Sequence, residues 1–217
     1  MMGYILNALE NYVFVFPLYL LLEILIYSFY RKKIHIRKLH LAGFQALVCL
    51  MIAMMTITGS AGISDIGNYG DKIIRTDEIN LIPFVNWGIQ DLFGLTMNLF
   101  LFVPLGLLIP LLWKKGTTCI GTVKVGFCLS LLIEISQLFN RRATDIDDLI
   151  MNTLGTALGY LIYRLFFRRL KVFQLENDAP GTLIKNASLI SVVLIFLCYF
   201  FIGDYVVRMI WWKLAGY

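Results

Sequence analysis

Long apolar runs, most of them closed by basic residues, constrain this chain more than any other feature. A helix that crosses a bilayer needs about twenty mostly apolar residues. Six stretches reach that length, roughly 11–30, 39–59, 92–113, 119–139, 148–167 and 183–202. Only 15% of the 217 residues are charged and 59% are hydrophobic, whereas soluble domains carry about a quarter charged residues. No polar stretch is long enough for a separate soluble domain. The expected fold is all-α, a polytopic transmembrane helical bundle of about six spans.

The charges between the runs set an orientation. Basic residues number five in 31–38, three in 114–124 and five in 164–185. The other side has none in 1–10, and two each in 60–91, 140–147 and the tail after 203. Positive loops stay inside, so the pattern predicts an N-out, C-out chain with the 140–147 corner outside. Trp211, Trp212 and Lys213 fit an outer interfacial belt. The net charge of +5 comes from these clusters rather than from one basic face, so lipids are the expected partner and nucleic acid is set aside. The first run follows Glu10 with no Lys or Arg, and its basic cluster comes after it. That order is the reverse of a cleavable signal peptide, so the run is expected to remain as an anchor. The four cysteines, without CxxC spacing, read as small buried apolar residues. The outer stretch 72–93, where apolar pairs are broken by polar residues and Pro83, is expected to be either an interfacial or re-entrant segment or a plain surface loop.

Glu134–Gly159 is where polar groups converge. Ionisable groups between membrane spans are costly and usually functional or paired. At helical phase Ser130, Glu134, Gln137 and Arg141 share one face of the fourth span. Asp145, Asp148, Asn152, Gly155 and Gly159 share one sector of the fifth, with Asp147 pointing away. The short connection makes the two helices antiparallel neighbours. At 1.5 Å per residue, Glu134 lies about 9 Å and Asn152 about 10 Å below the corner. Glu134 is therefore expected to face Asn152, and Gln137 to face Asp148. Asn98 can enter the same hollow from the third span, with Pro104 and Gly106 beneath it kinking that helix or admitting a neighbour.

Two readings fit Glu134: a general acid or base in a partly dry site, or an ion-pair partner of Arg142 or Arg141 that locks the hairpin. Asp145, Asp148 and Glu134 with Asn98 or Asn152 offer hard oxygen ligands for Mg or Ca. The competing reading is that aspartates at a helix start cap its free N–H groups. No His or thiolate joins them, so zinc is not expected, His35 and His40 falling on the cytoplasmic side. Arg141 and Arg142 suit a phosphate or carboxylate, or else lipid headgroups and the neighbouring aspartates. Glu23 is accounted for by pairing or snorkelling, Asp204 and Arg208 by an i, i+4 surface pair, and Gln45 by helix packing.

The motifs NLIPF at 80–84, NLFLFVPLG at 98–106, EISQ at 134–137 and RRATDIDDLIMNTLG at 141–155 resemble the VanZ-like membrane proteins. The resemblance covers about residues 80–163, flanked by 1–79 (two helices and an outer loop) and 164–217 (an inner loop and the last helix). It implies a polar signature of Asn80, Pro83, Asn98, Pro104, Gly106, Glu134, Gln137, Arg142, Asp145, Asp148, Asn152 and Gly155. Thr144 departs from the bulky apolar residue expected there. The resemblance also implies a bacterial plasma-membrane protein linked to resistance to teicoplanin-type glycopeptides, and it supplies no reaction.

Two functions follow as expectations. In one, an enzyme acts on a lipid-linked envelope precursor in the outer leaflet. Glu134 would be its acid or base, Asp145 and Asp148 orienters or metal ligands, and Arg142 the anion clamp. Asn98, Gln137 and Asn152 would donate hydrogen bonds, with Asn80 also contacting substrate. In the other, the same residues bind a lipid, precursor or antibiotic, or a surface-assembly partner, without chemistry. No nucleophile is evident, and transport lacks an internal repeat.

Overall fold

Lipid offers a backbone no hydrogen-bond partners, so a crossing segment must satisfy its own peptide groups as a helix. The computed structural model describes residues 20–21, 38–68, 74, 79–84, 88–113, 118–140, 142–170 and 186–214. Within them, five helices are long and apolar enough to cross a membrane: His40–Asp65, Leu92–Leu112, Cys119–Gln137, Ile146–Phe167 and Ala187–Ile210. They correspond to five of the six expected runs. The first run, 11–30, lies outside the described residues apart from 20–21, as does Glu23.

The helices are α1 (Lys38–Thr58), α2 (Ile89–Leu112), α3 (Cys119–Gln137), α4 (Ile146–Ile162), α5 (Ala187–Cys198) and α6 (Asp204–Leu214). A π-helical turn, Tyr163–Phe167, extends α4, and another, Tyr199–Gly203, joins α5 to α6. A 3-10 turn follows α1 at Ile63–Asp65. Two short strands, β1 (Ile79–Asn80) and β2 (Thr144–Asp145), pair in parallel, Ile79 with Thr144 and Asn80 with Asp145. Of the stretch 72–93, residues 79–84 form this strand and a turn.

Side-chain contacts fix the direction of each helix. His40 and Phe44 at the start of α1 meet the ring of Trp113 just beyond α2. Phe139 beyond α3 packs on Phe200, and Arg208 pairs with Asp65. The ends of α1, α3 and α5 and the starts of α2 and α4 therefore gather at one polar end. The opposite end carries Lys38, Arg168 and Arg169, with Lys114 and Lys115 next to it in sequence. Arg208 thus has a partner on another segment, Asp65, while the side chain of Asp204, its expected i, i+4 partner, lies outside the described residues.

The core lies between α1, α2, α3 and α5. Leu47, Met51, Met55, Phe102, Leu105, Leu129, Ile133, Val192 and Ile195 are fully enclosed there. Outward faces stay apolar: Phe100 on α2 and Leu154, Leu158, Leu161 and Leu165 along α4 and its extension are exposed. The cysteines follow the same logic and correct the expectation of burial. Cys49 and Cys119 are exposed, Cys128 and Cys198 half-buried, and all four are free thiols. A helix face turned to lipid is as apolar as a core, so a thiol gains little by turning inward.

The tightest contact joins α2 and α4, which run parallel. A Cβ on Gly155 would run into the carbonyl of Leu99, one on Gly159 into that of Val103, and one on Gly106 into that of Thr156. Small residues permit this approach, and lipid-embedded helices associate by such packing because water cannot drive them together. Gly106 admits a neighbour as expected, and α2 stays helical through Pro104 and Pro110.

Gly155→Val is expected to destabilise the folded protein by about 3 kcal/mol, the upper part of the usual range for overpacking. Gly94→Ala, with open space around its Cα, should be neutral. Denaturation midpoints in detergent measure both.

Candidate functional site

The polar end is built from helix termini that need partners. The last carbonyls of α1 have no intrahelical donors. Gln137 Nε2 donates to the Thr58 carbonyl at 2.8 Å, and Asn140 Nδ2 to the Gly59 carbonyl at 2.8 Å. The Ser136 hydroxyl joins that of Ser60 at 2.8 Å and accepts from the Ala61 N–H at 3.1 Å. Gly59 has φ of 71°, the left-handed region where a side chain is strained, and the Arg142 guanidinium lies directly over it. Arg142 itself is exposed. Among the described residues it forms no ion pair, so the expected Glu134–Arg142 salt bridge is replaced by a longer-range interaction. The charge of Arg142 still acts on Glu134 and Asp148. Arg141 lies outside the described residues.

Asp145 caps α4. Its backbone is extended (φ −121°, ψ 128°) and its carboxylate accepts from the Asp147 N–H at 2.9 Å. It therefore stands outside the helix whose stripe it was expected to join. Its own N–H donates to Glu134 Oε2 at 3.0 Å, and the Thr144 hydroxyl donates to the Glu134 carbonyl at 3.1 Å. Glu134 is a buried carboxyl, 4% exposed, seated at the start of the next helix.

That seat shifts the register of the two helices by one turn. Gly126 lies against Thr156, and Asn152 Nδ2 bonds the Ser130 hydroxyl at 2.9 Å. Continuing the same antiparallel register puts Glu134 opposite Asp148, whose charge acts on it. The expected pairs, Glu134 with Asn152 and Gln137 with Asp148, are not formed. The reason is rise per residue. Strand residues descend at about 3.3 Å each, roughly twice the helical step. Thr144 and Asp145 thus carry the chain down to the level of Glu134 before α4 begins.

The remaining expected residues gather around this pair. Asn98 Nδ2 donates to Asp148 Oδ1 at 2.6 Å, linking α2 to α4 above their glycine contact. Asn80 Nδ2 sits 3.4 Å from both oxygens of Asp145, and its own Oδ1 accepts from the Ile82 N–H. Glu134, Asp145, Asp148, Asn80 and Asn98 are thereby brought together. Gln137 and Asn152, each 1% exposed, lie one turn to either side. In every case the amide nitrogen faces a protein acceptor rather than an empty hollow.

Asp147, expected to point away from the site, has the role least visible beforehand. It is buried and accepts the Phe84 N–H with both oxygens, at 2.9 and 3.0 Å. Phe84 has φ of 61°, uncommon for an aromatic residue. The bond holds the Leu81–Phe84 turn across the corner with Leu81 (70%) and Ile82 (66%) outward. The second Asp of DIDD lies one position from the stripe, which is the signal that could have flagged it.

No three His, Cys, Asp or Glu side chains among the described residues are grouped to hold a metal. Four carboxylates stand close by, each accepting an N–H from the protein, but no three of them converge as a ligand set. The arrangement does not fit the Mg or Ca site that the residue types allowed.

A helical membrane protein with a buried carboxyl and a web of side-chain amides at one end is the class these features define. The chain matches the VanZ/LLP1 family over residues 44–168, which takes in most of α1 as well as α2 to α4. It belongs to that family. Protein VanZ of Enterococcus faecium is 36% identical over 103 residues, covering 46% of this chain and 60% of that protein. No solved structure matches.

Asp147→Ala should leave the Phe84 N–H without its acceptor and lower stability by about 1.5–3 kcal/mol, the range for a charged hydrogen bond. Asp147→Asn, which keeps one acceptor oxygen, should lose less. Unfolding midpoints and protease cleavage within 81–84 measure the difference.

Proposed function

We propose that this protein works at the outer face of the bacterial plasma membrane, where its polar end binds the headgroup of a lipid-linked cell-envelope molecule. Glu134 exchanges a proton with that headgroup. One observation carries the reading. The buried Glu134 carboxyl, the flanking carboxylates and Arg142 lie at the end of the bundle opposite Lys38, Arg168 and Arg169. By the positive-inside rule that end is outward. Arg142, exposed and free of an ion pair among the described residues, is the anion clamp, and the Asp145 N–H holds Glu134 in place with Asp148 beside it. The likeness to Protein VanZ supports a part in tolerance of teicoplanin-type glycopeptides.

A second reading has its own support. All four carboxylates at the site are already hydrogen-bonded to the protein, as suits a rigid binder that sequesters an envelope precursor or antibiotic without chemistry. Glu134→Gln separates the two. It keeps the acceptor for the Asp145 N–H and removes the exchangeable carboxyl proton. The proton-transfer reading expects stable protein, retained lipid binding and loss of glycopeptide tolerance. Full tolerance in that variant would refute it.

Orientation has an independent test. With the four native cysteines replaced, Ala143→Cys should react with a membrane-impermeant maleimide in intact cells. Labelling that needs permeabilised cells would place the corner inside.

A further inference from the structure

The turn Leu81–Phe84 is wholly apolar, and all four of its residues are exposed. Its depth is fixed by the Phe84 N–H, bound at 2.9 Å by Asp147, the second residue of the span Ile146–Phe167. That span has 22 residues, about 33 Å at the helical rise, close to the thickness of the hydrocarbon layer. The turn is therefore level with the edge of that layer. The register of α2 and α4 agrees. Gly155 meets the Leu99 carbonyl and Gly159 that of Val103. Two turns back along both helices, Asp147 comes close to the level of Leu92. Leu92 and Phe93 open the span Leu92–Leu112 and are themselves exposed.

Hydrogen bonding at the tip is a second, independent indication. Backbone donors cannot enter lipid unpaired, whereas a loop in water leaves them to solvent. The Ile82 N–H donates to Asn80 Oδ1 at 3.3 Å, and the Phe84 N–H donates to both oxygens of Asp147. Pro83 between them has no N–H. From Ile82 to Phe84 no donor is left for water, and Phe84 adopts a φ of 61° in this arrangement.

We propose that Leu81–Phe84 is an interfacial anchor, inserted among the lipids of the leaflet that meets the polar end, with Asn80 and Asp147 taking up its backbone donors. The partner is the lipid itself, between the headgroups and the upper acyl chains, where apolar side chains of interfacial segments settle. The anchor is tied to the buried carboxyl. Ile79 and Asn80 pair with Thr144 and Asp145, and the Asp145 N–H holds Glu134. Lipid contact at the turn thereby steadies the strand that seats Glu134. The anchor is the same whichever side of the membrane this end faces, and whatever Glu134 does there.

Fluorescence quenching in nanodiscs tests this on the full chain. With the four native cysteines replaced, an environment-sensitive fluorophore is attached at Ile82→Cys or at Ala143→Cys, which is exposed at the neighbouring corner. Both positions are exposed, so neither label removes a core contact. The quenchers are a phospholipid carrying a nitroxide near the top of its acyl chain and iodide in the water. The label at 82 should be quenched by the nitroxide lipid several-fold more strongly than the label at 143, and by iodide several-fold less. Asp147→Ala frees the Phe84 N–H and should move the label at 82 toward iodide. Equal quenching by iodide at the two positions makes the turn a loop in water and overturns the proposal. A label at 82 that neither quencher reaches is covered by protein, which overturns it too. Lipid contact unchanged in a folded Asp147→Ala variant overturns the role given to that bond.

Discussion

Helix ends at the polar end of this bundle need hydrogen-bond partners that lipid cannot give, and the architecture follows from how the chain supplies them. The carbonyls ending α1 take protons from Gln137 and Asn140, and the N–H that opens α4 meets Glu134. The N–H groups of Asp147 and Phe84 find Asp145 and Asp147. Residues that look like a reactive cluster in one dimension therefore serve first as caps between segments. The same bonds hold Glu134 buried but close to two other carboxylates and an arginine. Structural and functional readings of these side chains are not alternatives, because the capping geometry is what positions the carboxyl.

Sequence patterns revealed the helices well because hydrophobic length and loop charge act locally. Five spans follow from hydrophobic length, and the antiparallel α3–α4 pair from the short connection between them. Depth was harder. Treating Asp145 as helical gave a symmetric hairpin, whereas two extended residues at β2 shift the whole register by a turn. The role of Asp147 was hidden for a related reason, since its partner is a backbone N–H at Phe84. Backbone groups leave no mark in composition. The carbonyls of Thr58 and Gly59 are hidden in the same way, which is why α1 showed no motif although it forms part of the site.

Beneath the polar web, α2 and α4 are locked by contact between backbones. Three glycines bring carbonyl oxygens against Cα positions of the opposite helix, an approach that favours weak Cα–H···O contacts as well as dispersion. Asn98–Asp148 sits directly above this contact. The distance between α2 and α4 at that level is thus set by helices that cannot come closer or slide easily. Such a rigid footing suits a site that must keep several oxygens at fixed separations.

The bonds that finish α1 also impose an order of assembly. Gln137 reaches Thr58 across 79 residues, and Asn140 reaches Gly59 across 81. During synthesis from the N-terminus, α1 is made well before the side chains that complete it. Until α3 is in place, the carbonyls of Thr58 and Gly59 must rely on water at the membrane surface. The arrival of α3 displaces that water and closes the end of the earlier helix. The polar end is therefore completed only when helices made at different times have met.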